Sequence, residues 1–75
     1  MSEVLKQVIE ILKSDPFKIE GEVSLETKIK DFSGWDSLKQ LMFLIEVEKR
    51  FNIEITVEEV NSIITISDLV KKIQR

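Results

Sequence analysis

Ser37 is the residue in this chain best placed to do chemistry. It stands in the run Gly34-Trp35-Asp36-Ser37-Leu38, where a turn-forming stretch gives way to a long apolar segment. A serine in the first turn of a helix meets backbone N–H groups that lack intrahelical acceptors. It also meets the positive end of the helix dipole, and both favour a phosphate there. The chain contains no Cys and no His, so thiol or imidazole chemistry must be imported. A serine that carries a phosphate-linked arm fits both facts.

Other chemistries lack their residues. Without His or Cys there is no hydrolytic triad and no thiol nucleophile. No glycine-rich phosphate loop is present. No Asp-x-Asp-x-Asp-Gly run suggests a calcium loop. Glu58 and Glu59 are adjacent, and neighbours on a helix diverge rather than converge as an acid/base pair. No residue is assigned a catalytic or metal-ligating role, and an enzyme is not expected.

The elements that must position Ser37 come from a small chain. Its 75 residues suit one domain, spanning 1–75, near the lower limit for a self-sufficient core. Charged residues make up 33%, which argues for a soluble protein with a wet outer face. No stretch approaches the ~20 apolar residues of a membrane span, so no membrane insertion is expected. Met1-Ser2-Glu3-Val4-Leu5-Lys6 does not read as a signal peptide. Without Cys there is no disulfide framework and no thiolate metal site. A cytoplasmic monomer is the expectation.

Net charge is −3, and all of it lies near the serine. From Asp36 to Val60 six acids face three bases, whereas the rest of the chain balances eight against eight. An acidic segment disfavours nucleic acid as a partner, because phosphate contacts need a basic face. It suits partners with a basic docking patch, or it is simply a solvated helix face.

Val4, Leu5, Val8, Ile9, Ile11 and Leu12 recur at helical spacing and predict a first helix over 3–14. Ser2 is its candidate cap, with Glu3 in the first turn. Asp15-Pro16 ends it. Residues 15–35 show no clean period, yet Phe17, Ile19, Val23, Leu25, Ile29 and Phe32 make the stretch too apolar for a disordered linker. An ordered loop laid over the bundle is expected, with one turn near Lys28–Asp31 and no strand pair.

Asp36 is a suitable N-cap for a second helix over 37–51, which Asn52 can close in the left-handed conformation. Only a narrow strip around Lys39, Glu46 and Arg50 is strictly polar, which predicts a central helix touching several neighbours. Thr56-Val57-Glu58-Glu59 is a capping box that opens a short helix over 57–62. Thr65-Ile66-Ser67-Asp68 resembles a second box and opens a helix over 66–74. Its inward residues are Ile66, Leu69, Val70 and Ile73, with Lys71, Lys72 and Arg75 complementing the C-terminal dipole. The predicted fold is all-α: three longer helices, a short third one, and a long ordered loop after the first.

This pattern resembles the acyl carrier protein family. The residues that carry the resemblance are Asp36-Ser37-Leu38, then Glu48, Phe51, Ile53 and Ile55, then Ile64-Thr65 and Asp68-Leu69. The likeness runs over nearly the whole chain, most strongly from Phe32 to Lys72. It implies a four-helix acyl-carrier-type bundle. It also implies that Ser37 Oγ receives a 4′-phosphopantetheine group from coenzyme A through a phosphopantetheinyl transferase. The arm's thiol would then hold acyl groups as thioesters for acyl-loading and acyl-using enzymes of fatty-acid, polyketide or related biosynthesis. In the family the acid matching Asp36 helps to bind the transferase and its metal.

Leu38 admits two roles, partial core or a partner contact beside the arm. Trp35 is expected to cover a core edge. Lys39 and Met42 stand where the family usually has acids. That argues for partners using apolar contact, with Leu38, Lys39, Met42 and Ile45 as the docking residues; Met42 is otherwise simply buried. Val8, Leu41, Leu44, Ile64 and Leu69 are core candidates that could line a cavity for the load. Two other roles remain open: an aminoacyl or peptidyl carrier loaded by an adenylating enzyme, and a helical adaptor whose Ser37 is never modified.

Overall fold

The computed structural model describes residues 3–74. It contains four helices in the order α1 (Glu3–Lys13), α2 (Ser37–Phe51), α3 (Val57–Ser62) and α4 (Ile66–Gln74), with one 3-10 turn at Ile29–Asp31 between α1 and α2. The fold is all-α, and α2, α3 and α4 begin and end where their capping signals place them. α1 stops at Lys13, one residue short of expectation, within the usual fraying of helix ends. Ser2 and Arg75 lie outside the described residues.

The starts of α2, α3 and α4 each have a local cause. Asp36 Oδ1 accepts the Lys39 N–H at 2.9 Å and caps α2. Thr56 and Glu59 exchange bonds as a capping box at α3. Asp68 Oδ2 accepts the N–H groups of both Thr65 and Ile64 at 3.0 Å, while Thr65 Oγ1 accepts the Asp68 N–H at 3.1 Å. Asp68 thus does the work that Glu does in the usual box. At the far end of α2, Asn52 takes φ 54° and ψ 51° and returns its N–H to the Glu48 carbonyl.

The core joins α1, α2 and α4. α1 packs on both of the others. It contributes Leu5, Val8, Ile11 and Leu12, against Phe43, Leu44 and Val47 from α2 and Ile66, Leu69, Val70 and Ile73 from α4. No polar or charged residue among those described is buried.

α3 buries no side chain of its own. The flanking residue Ile63 does enter the core. An ion pair between Glu59 and Lys72, 2.5 Å apart, ties α3 to α4.

The long loop packs as its apolar content demands. Phe17 and Ile29 are buried, and Ile19, Val23 and Phe32 rest on the core. It is also fastened by its main chain to the start of α4. Lys28 and Thr65 form an isolated antiparallel bridge. Around it Ile29 N–H donates to the Ile64 carbonyl, Ile66 N–H to Thr27, and Ser67 N–H to Leu25, at 2.8–3.0 Å. One residue pair leaves no alternation in sequence, so this bridge was not foreseen.

α2 is apolar on most of its circumference, but neighbours do not cover all of it. Leu38, Leu41 and Ile45 are exposed, Leu38 to 64% and Leu41 to 58%. The short α3 provides no cover on that side, so the apolar residues there stay at the surface. Ile64, read as core, is likewise 53% exposed. Partial burial of Leu38 is therefore not what the fold provides.

Candidate functional site

Ser37 is the first residue of α2, and it is exposed. The loop before it is set by Gly34, whose φ of +73° lies in the region that side chains disfavour. Asp36 then occupies extended backbone, so the chain turns sharply into the helix at Ser37. Asp36 Oδ1 takes the Lys39 amide, and the Asp36 carbonyl takes the Gln40 amide. The amides of Ser37 and Leu38 have no acceptor among the described residues. Ser37 Oγ likewise makes no hydrogen bond to them.

A cleft of about 680 Å³ opens beside this serine. It follows α2 from Asp36 and Ser37 past Leu41 and Leu44 to Glu48, with Val60 and Ile64 on the opposite side. At 1.5 Å per residue that is roughly 16 Å of helix. The cavity residues expected from sequence divide in two. Leu41, Leu44 and Ile64 line the cleft. Val8 and Leu69 instead lie wholly inside the core.

The far end of the cleft is held by Glu48. Its Oε2 accepts the Ile55 N–H at 2.8 Å. Ile53 and Ile55 rest against the core on either side of exposed Glu54. The Ile-x-Ile connector thus alternates as an extended strap, and Glu48 pins it to the last turns of α2.

Trp35 covers a core edge as expected. Its ring lies 5.7 Å from Phe17, 5.4 Å from Phe32 and 5.6 Å from Phe43, centroid to centroid. Its indole N–H is directed to Gln40 Oε1 at 2.8 Å. Sequence reasoning overlooked Gln40, although its place three residues after Ser37 puts it on the same helix face.

The candidate docking residues differ in exposure. Leu38 and Ile45 are exposed, whereas Lys39 and Met42 are half-buried. Leu38, Met42 and Ile45 follow i, i+4, i+7 and share one stripe of α2. Met42 packs on the core with one side only, between the two roles its sequence position left open. The Lys39 ammonium lies near Gly34, 3.6 Å from where a Cβ on that glycine would stand.

Comparison with known proteins bears on this geometry. The family model for the phosphopantetheine attachment site matches residues 2–73. The chain belongs to the acyl carrier protein family. An acyl carrier protein from Wolinella succinogenes is similar to it, with 35% identity over 72 residues, covering 96% of this chain and 90% of the relative. The role that goes with membership is carriage on a phosphopantetheine arm rather than catalysis. The residues present fit such an arm: an exposed hydroxyl with no protein partner, unpartnered amides beside it for a phosphate, and a cleft leading away. Among the described residues no group of three or more acids is placed to hold a metal ion. No helix among them is long and apolar enough to cross a membrane.

Proposed function

We propose that this chain, as one carrier domain over residues 1–75, holds acyl intermediates on a 4′-phosphopantetheine arm attached to Ser37. It delivers them to partner enzymes of fatty-acid, polyketide or related biosynthesis in the cytoplasm. The observation that carries this reading is the position of Ser37 Oγ, exposed and unpartnered at the head of an apolar-walled cleft. When bound, the arm supplies the terminal thiol on which acyl groups are held as thioesters.

This chain's own residues prepare the attachment. Asp36 fixes the first turn by holding the Lys39 amide. The Ser37 and Leu38 amides remain available to the phosphate, a helix-start contribution of ~0.3–1 kcal/mol when exposed. Asp36 keeps a carboxylate oxygen beside Ser37 for the transferase and its metal. Leu38, Met42 and Ile45 form the docking stripe, with Lys39 beside it. Its apolar members and the single lysine suit partners with an apolar docking patch better than a purely basic one.

The test is the intact mass after the protein is incubated with coenzyme A and a broad-specificity phosphopantetheinyl transferase. One arm is gained by the wild type and none by Ser37→Ala. An unmodified wild type would mean a helical adaptor instead. Carriage of aminoacyl groups is the second reading, favoured by Glu48 and Asn61 on the same cleft. Mass spectrometry of the naturally loaded protein separates the two.

A further inference from the structure

At the Ser37 end of the cleft, the orientation of the polar side chain of Gln40 is set by a residue outside α2. Gln40 stands one turn after Ser37, and both line the cleft. Side chains at i and i+3 on a helix start roughly 5–6 Å apart, within reach of a group attached to the first of them. A free glutamine would sample many rotamers. Gln40 does not, because Trp35 Nε1–H donates to its Oε1 at 2.8 Å. Trp35 is wedged among Phe17, Phe32 and Phe43 and cannot swing away without opening that cluster.

This arrangement decides what Gln40 presents to the cleft, whose wall also carries Lys30 and Asn61. A primary amide offers one acceptor oxygen and two N–H donors. With the oxygen already engaged by the indole, the two N–H donors are the groups left wholly free. Gln40 Nε2 has no partner among the described residues and is not buried. The nearby carboxylates are acceptors with one oxygen each engaged, Asp36 by the Lys39 amide and Glu48 by the Ile55 amide, and neither can donate to a phosphate. Gln40 is thus a neutral donor, pre-oriented, one turn from the candidate attachment oxygen. A phosphodiester there presents charged acceptor oxygens, for which hydrogen bonds are shorter and stronger than between neutral groups.

We propose that Gln40, oriented by Trp35, donates a hydrogen bond to the phosphodiester of an arm on Ser37 and so directs that arm into the cleft. Gln40 is a positioning residue: it selects the direction in which the arm leaves the helix, toward Leu41, Leu44 and Ile64 rather than into solvent. This rests on Ser37 as the attachment point.

The test is NMR on the holo-protein, after intact mass has established that the arm is present. On modification, the side-chain N–H pair of Gln40 shifts, while those of Gln7 and Gln74 do not. In holo Gln40→Ala the phosphorus resonance moves from its wild-type position, and nuclear Overhauser contacts between the arm and the Leu41 and Ile64 methyls are lost. Holo Trp35→Phe keeps a ring in the cluster but removes the indole donor, and it weakens the same contacts. If Trp35→Phe does not fold, the exposed-side change Gln40→Ala carries the test alone. An unmoved Gln40 side-chain pair in protein that carries the arm overturns this inference and leaves Ser37 standing. Protein that gains no arm overturns both.

Discussion

Glu59 and Lys72 join α3 to α4 through an ion pair of 2.5 Å between Oε2 and Nζ. The pair matters because α3 has no fully buried side chain, only Val60 resting on the core. The bond to Lys72, and after it the Thr56 N–H, lowers the Glu59 carboxyl from 4.5 to about 2. A carboxyl whose folded pKa is depressed stabilises the fold above its ordinary pKa. That contribution is lost as pH falls from about 4.5 toward 2. The protection of the α3 amides, measured against the intrinsic exchange rate at each pH, is therefore expected to fall in that window. Asp68 acts in the same sense, its carboxyl lowered by the Thr65 and Ile64 amides. Glu59→Gln separates the two: it should remove most of the pH dependence at α3 and leave that at the start of α4. An α3 whose protection factors are unchanged by acid would show that the ion pair does not hold it.

Much of the fold could be read from residues that satisfy backbone groups. Asp36, Thr56 with Glu59, and Thr65 with Asp68 marked three helix starts, because a cap is a local device recorded in a few adjacent residues. Asn52 marked the end of α2 in the same way. Exposure could not be read so directly. The spacing of Leu38, Leu41 and Ile45 says that they are apolar, not whether a neighbour covers them. That depends on α3, whose six residues are too few to cover α2. Ser37 was visible for its place at a capped helix start. Three residues of the cleft, Leu41, Leu44 and Ile64, were visible as candidate lining, whereas the Trp35–Gln40 bond, although it joins residues only five apart, depends on the aromatic cluster that holds Trp35.

Phe43 and Leu41 should respond in opposite ways. Phe43 is fully buried and packs on Phe17 and Trp35, so Phe43→Ala is expected to cost about 3–5 kcal/mol. For a domain of this size that approaches the whole stability. Leu41→Ala, at an exposed site, should stay within about 0.5 kcal/mol. Urea denaturation of both variants makes the comparison, and equal losses would contradict the burial described for α2.

Asn52 is held in the left-handed region, where a side chain without local hydrogen bonding costs roughly 1–2 kcal/mol. Asn52→Ala is accordingly expected to destabilise by about 1 kcal/mol. Asn52→Gly should leave the melting temperature unchanged or raise it. A melting curve in which Ala is as good as Gly would count against the conformation described for that residue.

Asp36 carries two roles that one pair of variants can divide. Asp36→Ala removes the cap on the Lys39 amide and should lower stability by about 1 kcal/mol. Asp36→Asn retains an acceptor for that amide, so its stability should stay close to wild type. If the carboxylate also serves the transferase, Asp36→Asn will be modified more slowly despite its intact fold. Initial rates of arm transfer read this; a wild-type rate would confine Asp36 to capping.

The bonds between the long loop and the start of α4 have a consequence for how this molecule can be altered. They run between main-chain atoms: Ile29 to Ile64, Ile66 to Thr27, Ser67 to Leu25. Such bonds are indifferent to side-chain identity, so the scaffold on one side of the cleft does not depend on what decorates it. Ile64 can be exchanged for a polar or aromatic residue while its carbonyl goes on accepting the Ile29 amide. Frame and lining are separable, and repeated substitution at the lining offers a route to new cargo preferences on an unchanged architecture.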